Sequence, residues 1–159
     1  AKGDIRLWAL DRVSFNIILQ KTTIAKRKLR TDTLLKIPVF SQLTEYELLT
    51  IADTLQEETF ADQSVICNQG DAGDKFYLIA DGVAVCTQTQ GNNNDPVEVA
   101  RLSCASYFGE IALLSDKPRQ ATVTADGTLK CLTLNRKTFD RVMGPLADIL
   151  LRNMNYLQI

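Results

Sequence analysis

Residues Tyr107–Ala125 have the sequence YFGEIALLSDKPRQATVTA, which places two opposite charges beside residues that should be buried. Glu110 follows a glycine and opens an apolar run of good helix formers. Arg119 lies between Pro118 and a β-branched strand. Gly109 allows backbone to approach a ligand closely, and a short helix start after a glycine exposes free N–H groups. The stretch therefore predicts a local anion site next to a carboxylate.

The two charges suit different parts of one ligand. The guanidinium of Arg119 is a planar fork that matches phosphate oxygens. A carboxylate repels phosphate, so we expect Glu110 to accept hydrogen bonds from hydroxyl groups instead, as carboxylates do for ribose in dinucleotide sites. A ligand with a phosphate and a ribose hydroxyl satisfies both residues. The alternative interpretation is a Glu110–Arg119 salt bridge that closes a loop.

Around this stretch, short β-rich runs alternate with turns, which is typical of a sandwich or small barrel. The predicted strands are residues 64–68, 75–80, 82–88, 97–102, 120–124 and 129–134. Helical patterns flank this region. The first predicted helix starts at Arg12 after the N-cap Asp11, and a second helical stretch covers residues 24–35. A further helix is predicted over residues 41–55, with Ser41 or Thr44 as its cap. The last covers residues 136–156 and has a break at Gly144-Pro145.

The two ends of the chain resemble each other. Residues 6–19 (RLWALDRVSFNIIL) align with residues 130–143 (KCLTLNRKTFDRVM), and each copy is predicted as a strand, an N-cap and the start of a helix. Chance similarity of two strand–helix junctions is one explanation. The other is that the chain begins in the last strand of an earlier copy of the same domain.

Composition excludes several classes of function. A net charge of −1 gives no global field that would attract nucleic acid or an anionic membrane. The absence of histidine excludes Ser-His and Cys-His catalytic pairs and histidine-ligated metals. No apolar run approaches the length of about 18 residues that a membrane-spanning helix needs. An enzyme would therefore have to rely on carboxylates or lysine for its chemistry.

Three motifs carry a family resemblance. Residues 108–123 (FGEIALLSDKPRQATV) resemble the phosphate-binding cassette of cyclic nucleotide-binding domains. Residues 68–82 (NQGDAGDKFYLIADG) and 129–153 (LKCLTLNRKTFDRVMGPLADILLRN) resemble, more closely, the second such domain of the regulatory subunits of cAMP-dependent protein kinases. Residues 6–19 are similar to the end of the first domain.

The resemblance implies a mainly β fold with flanking helices, namely an eight-stranded β jelly-roll barrel. It implies that residues 1–37 are the last strand and exit helices of a preceding, truncated cyclic nucleotide-binding domain. Residues 38–159 would then be a complete domain, with the barrel at about 57–134 and exit helices at about 135–157.

The resemblance also implies roles for individual residues. Glu110 would bind the ribose 2′-hydroxyl and Arg119 the cyclic phosphate. Asp74 would contact the cassette arginine, Gly82 would keep the pocket wall open, and Tyr156 would cap the base. The remaining expected site residues belong to the cassette, where backbone N–H groups complete the phosphate cradle: Phe108, Gly109, Ile111, Ala112, Gln120 and Ala121.

By this resemblance the implied function is a ligand-driven switch and not catalysis, so no enzyme is expected. Domains tuned for cGMP usually carry Thr or Ser where this chain has Gln120, so we expect cAMP as the ligand, with a cGMP-binding domain or a nucleoside-regulated relative as alternatives. By resemblance, binding would release or activate a kinase catalytic subunit. The resemblance further implies no cofactor or metal, no nucleic-acid or membrane partner, a cytoplasmic location, and a dimeric full-length protein joined through an N-terminal segment absent here.

Overall fold

The computed structural model describes residues 4, 6–89 and 95–144. In these residues, six strands form one antiparallel sheet with the order β1-β6-β3-β4, while β2 also pairs with β6 and β5 with β3. The strands are β1 (Gln56–Phe60), β2 (Val65–Cys67), β3 (Lys75–Gln88), β4 (Val97–Leu102), β5 (Tyr107–Phe108) and β6 (Thr122–Asn135). The helices are α1 (Arg12–Leu35), α2 (Glu45–Thr54), α3 (Glu110–Leu114) and α4 (Arg136–Met143), and a 3-10 turn covers Pro38–Gln42.

The predicted mainly β class with flanking helices is confirmed, but the count of eight strands is not. Strands β3 and β6 each join two runs that were predicted as separate strands. Gly82 explains why β3 bends without ending. Its φ is +95°, and a Cβ there would lie 2.5 Å from the carbonyl oxygen of Thr128 in β6. The pairing register between the two strands shifts at this point.

Alternation along β3 divides the core into two clusters, because successive side chains of a strand point to opposite faces. Phe76 belongs to the cluster between the sheet and the helices, where its ring lies 5.2 Å from that of Phe139 in α4. Tyr77 belongs to the cluster on the other face, with Cys86, Phe108 and other buried residues. The second cluster lies beneath the stretch that contains Glu110 and Arg119.

The predicted N-cap of α1 is confirmed, but two predictions around it are wrong. The backbone N–H of Ser14 donates to the Asp11 carboxylate over 2.9 Å. Helix α1 is one continuous helix and not two, because no proline or glycine interrupts it. The described residues 6–10 form no strand. A strand needs a neighbour for its hydrogen bonds, and none pairs with this segment in the described chain.

The later helices begin as the sequence predicts. Thr44 caps α2 in a capping box with Glu47, so Thr44 and not Ser41 is the N-cap. Asn135 caps α4 through the N–H of Thr138 over 2.9 Å. Both members of the internal resemblance therefore place an N-cap at the aligned position, Asp11 and Asn135. The predicted break at Gly144-Pro145 and the helix beyond it extend outside the described residues. None of the described helices is long and apolar enough to span a membrane.

Candidate functional site

Gly109 ends β5 and caps the short helix α3. Its φ is +92°, in the left-handed region that favours glycine. A Cβ at this position would collide with Nη1 of Arg119 and would lie 2.9 Å from the carbonyl oxygen of Lys75. The glycine therefore lets the chain turn while a buried arginine lies against its backbone.

Arg119 is 5% exposed, and its guanidinium faces inward. Nη1 donates to the carbonyl oxygen of Gly109 over 2.9 Å, and Nη2 donates to that of Lys75 over 2.6 Å. The backbone N–H of Arg119 also donates to the carbonyl oxygen of Asp71 over 2.8 Å, so it contacts the turn before β3. No carboxylate forms an ion pair with Arg119 within the described residues. The positive charge is held by neutral partners only.

Glu110, which begins α3, places a carboxylate oxygen in the same buried site. Its Oε2 is buried and has no hydrogen-bond partner among the described residues. Burial raises the pKa of this carboxyl group, while its own backbone N–H and the charge of Arg119 act in the opposite direction. The alternative interpretation, a Glu110–Arg119 salt bridge, is therefore not realised in this structure.

The other cassette residues pack around these two. Phe108 is 7% exposed and stacks on Tyr77, with ring centroids 4.7 Å apart and planes 5° apart. Ala112 is buried, and the missing side chain of Gly73 leaves room for its methyl group. Ile111 and Ala121 are half-buried. The structure thus brings the predicted cassette residues together on one side of the sheet.

Asp74, Gln120 and Gly82 make contacts other than the expected ones in this structure, and a fourth expected residue is not described. The side chain of Asp74 is exposed and makes no ion pair with Arg119, whose guanidinium donates to two carbonyl oxygens instead. The amide of Gln120 is turned back on its own loop and donates to the carbonyl oxygen of Pro118 over 2.7 Å. Gly82 fits tightly against the backbone of β6 at the bend of β3, so the sheet itself requires a glycine there. Tyr156 lies outside the described residues.

The role of Arg136, the first residue of α4, has no signature in the sequence. Its Nη2 donates to the carbonyl oxygens of Gly73 and Ala112 over 3.0 and 2.8 Å, and its Nη1 forms an ion pair with Asp116 over 2.7 Å. One side chain thus joins the helix that follows the barrel to α3 and to the turn before β3. An arginine beside an N-cap has no motif of its own that would predict these contacts.

Among the residues that the structure describes, this site combines a buried arginine that forms no ion pair with a buried carboxylate oxygen that has no hydrogen-bond donor. A buried charge without a partner is costly, so the site favours a ligand that supplies an anion and a hydroxyl group together. The described residues contain no cluster of His, Cys, Asp or Glu that could hold a metal ion.

Comparison with known proteins agrees with this chemistry. Residues 57–144 match the family model of the cyclic nucleotide-binding domain. A cAMP-dependent protein kinase regulatory subunit of Dictyostelium discoideum is 44% identical over 156 residues, which are 97% of this chain and 48% of that protein. The chain thus spans about half the length of this curated relative.

Two solved structures show the same fold. The regulatory domain of Toxoplasma gondii PKA, co-crystallised with cAMP, has a TM-score of 0.84 and 35% identity over 92% of this chain and 56% of that one. The regulatory subunit of a cAMP-independent protein kinase A from Trypanosoma cruzi, bound to guanosine, has a TM-score of 0.73 and 27% identity over 88% of this chain and 49% of that one. Similar folds thus occur with a cyclic nucleotide and with a nucleoside.

Proposed function

The chain belongs to the cyclic nucleotide-binding domain family and is homologous to regulatory subunits of cAMP-dependent protein kinase, and we propose that it binds cAMP as the regulatory domain of such a kinase. In this proposal the nucleotide is a regulatory ligand, the chain performs no catalysis of its own, and no cofactor takes part.

The observation that carries the proposal is the state of Arg119. Arg119 is 5% exposed, its guanidinium donates to two carbonyl oxygens and lies over an aromatic ring, and it forms no ion pair within the described residues. The cyclic phosphate carries the negative charge that this arrangement lacks, and charge-assisted hydrogen bonds to it are among the stronger kinds. Backbone N–H groups of Gly109, Ala112 and Ala121 would complete the phosphate cradle.

Glu110 supports the same ligand. Its unpaired Oε2 can accept a hydrogen bond from the ribose 2′-hydroxyl. A nucleoside such as guanosine could meet that need, but it would leave Arg119 without an anion. A cyclic nucleotide meets both needs, and we therefore favour cAMP over a nucleoside.

The choice of base depends on Gln120 and Tyr156. Gln120 has no hydroxyl group with which to bond guanine, so we propose cAMP over cGMP. In the structure its amide donates to Pro118, which leaves the side chain at the exposed edge of the loop. Tyr156 is proposed to cap the adenine. Asp74 and Gly82 remain proposed site residues, with Asp74 requiring a different side-chain position to reach Arg119.

The proposed mechanism is a shift between two arrangements of the cassette and α4. A ligand shifts such an equilibrium by binding one arrangement more tightly than the other. Arg136 links α4 to the carbonyl oxygen of Ala112 and to Asp116 after α3, so a movement of α3 is transmitted to α4. The rings of Phe76 and Phe139 provide a second contact between the sheet and α4.

The wider context of the proposal follows the homology. We propose that cAMP binding releases a kinase catalytic subunit in the cytoplasm and that the full-length protein is a dimer. We also propose that residues 1–37 belong to a preceding cyclic nucleotide-binding domain and that residues 38–159 form the domain with this site. The N-caps at Asp11 and Asn135, which occupy aligned positions, support the proposed repeat.

A thermal-shift series with cAMP, cGMP, AMP, adenosine and guanosine tests the proposal. A ligand at 100 times its dissociation constant stabilises the folded state by about 2.7 kcal/mol. We expect cAMP to give the largest shift at equal concentration. A larger shift with cGMP would reverse the proposed selectivity, and a larger shift with a nucleoside would contradict the role of Arg119. No shift with any of the five would refute nucleotide binding.

A further inference from the structure

Tyr77 in β3 lies under the guanidinium of Arg119. The central guanidinium carbon is 5.8 Å from the centroid of the tyrosine ring. A cation within about 6 Å of an aromatic face is attracted to it, and the attraction grows when water is excluded. Here both residues are 5% exposed, so water screens the contact little.

The ring of Tyr77 is held firmly in place. Tyr77 pairs with Phe108 across β3 and β5, and their rings stack with centroids 4.7 Å apart. The ring of Phe60 contacts it from β1, at 6.5 Å between centroids and 57° between planes. A ring packed by two others keeps one orientation, and it therefore offers Arg119 a fixed surface.

An aromatic face is a suitable partner for an arginine that must later bind an anion. The ring attracts the guanidinium without placing a further negative charge where the anionic ligand would bind. An aliphatic side chain would give the buried charge no compensation. Burial raises the pKa of Tyr77 to about 12, so the phenol stays uncharged at neutral pH and does not compete.

We propose that Tyr77 is a positioning residue whose ring holds the Arg119 guanidinium in its anion-binding orientation before the nucleotide arrives. The two carbonyl oxygens of Gly109 and Lys75 fix the edge of the guanidinium, while the ring compensates its charge. Preorganisation of this kind raises affinity because less order has to be imposed on binding. The inference rests on the proposed binding of cyclic nucleotides.

Calorimetric titration of cAMP into variants of this chain provides the first test. Tyr77→Phe keeps the ring and is expected to bind within about twofold of wild type. Tyr77→Leu removes the ring and is expected to bind roughly 5- to 30-fold more weakly, which corresponds to about 1–2 kcal/mol. Phe40→Leu is the matched control, because it removes a fully buried aromatic ring from the other core cluster, which contains neither Tyr77 nor Arg119. It is expected to keep wild-type affinity.

A fluorinated series at position 77 separates charge compensation from packing. Phenylalanine with one, two and three ring fluorines keeps nearly the same shape but has a progressively weaker negative face. We expect cAMP affinity to fall stepwise along the series. Because these rings keep nearly the same shape, the series tests the role of Tyr77 even if Tyr77→Leu fails to fold. A flat series, or equal losses for Tyr77→Leu and Phe40→Leu, would overturn the role of Tyr77. Failure of the wild-type chain to bind any cyclic nucleotide would instead refute the proposed function.

Discussion

Replacement of Glu110 by glutamine tests the proposed sugar contact, because it changes charge with almost no change of shape. The carboxylate oxygen Oε2 is buried without a donor, and burial raises the pKa of the group. If this oxygen accepts the 2′-hydroxyl of cAMP, its charge contributes a hydrogen bond of about 1.5–3 kcal/mol. Glutamine keeps a neutral acceptor of about 0.5–1.5 kcal/mol, so Glu110→Gln is expected to weaken cAMP binding by about 1–1.5 kcal/mol, or roughly 5- to 13-fold.

The assay is calorimetric titration of wild type and Glu110→Gln with cAMP and with 2′-deoxy-cAMP. The deoxy ligand lacks the hydroxyl group, so the substitution should change its affinity by no more than about twofold. Equal losses for both ligands would refute the sugar contact, as would unchanged affinity for cAMP. Arg119 is intact in both proteins and serves as the internal control for phosphate binding.

The same substitution has a predicted effect on folding without ligand, and its sign follows from the raised pKa. A carboxyl group whose pKa is higher in the folded state costs stability as pH rises from its unfolded value through its folded value. Glutamine removes that cost. The unfolding free energy of Glu110→Gln should therefore increase relative to that of wild type as pH rises from about 4 to neutrality. Denaturant unfolding over this pH range measures the difference, and an opposite trend would contradict the assignment.

Three further substitutions address other parts of the account. Gly109→Ala places a side chain on left-handed backbone, which costs about 1–2 kcal/mol, and brings its Cβ against Arg119. It should therefore lower both the unfolding free energy and cAMP affinity. Unchanged cAMP affinity would contradict the packing of Arg119 against Gly109. Gln120→Thr should raise cGMP affinity relative to cAMP in competition binding, and an unchanged ratio would remove Gln120 as the determinant. Thr44→Ala removes the cap of α2 and should cost about 1 kcal/mol of stability in denaturant unfolding with cAMP affinity unchanged; altered affinity would show that α2 influences the site.

The sequence predicts those parts of the fold that depend on local chemistry. The side chains of Asp11 and Thr44 each accept a hydrogen bond from a backbone N–H group three residues later in the chain. Such a cap depends only on neighbouring residues, and both predicted caps are confirmed. A short helix that starts after Gly109 is likewise predicted from neighbouring residues, because a glycine precedes a run of good helix formers. By contrast, the predicted strand at residues 6–10 depended on a pairing partner that only tertiary structure can supply.

The parts of the site that the sequence does not predict depend on the backbone and on long-range contacts. The carbonyl oxygen of Lys75 contacts Arg119, 44 residues away, and any residue could supply that oxygen. The contact of Tyr77 with Arg119 requires both the register of β5 on β3 and the turn at Gly109. Arg136 likewise contacts two carbonyl oxygens that have no signature in the sequence. Asp74 shows the reverse, since a motif placed it beside Arg119 while its side chain in the structure is exposed.

Titration of cAMP into Arg119→Lys measures whether the buried guanidinium of Arg119 binds the phosphate of the nucleotide. Lysine keeps the charge but loses the planar fork that bonds two acceptors at once. We expect the binding free energy of cAMP to weaken by about 1.5–3 kcal/mol, the range for hydrogen bonds to charged groups, which is roughly 10- to 150-fold in affinity. Affinity equal to that of wild type would contradict this expectation.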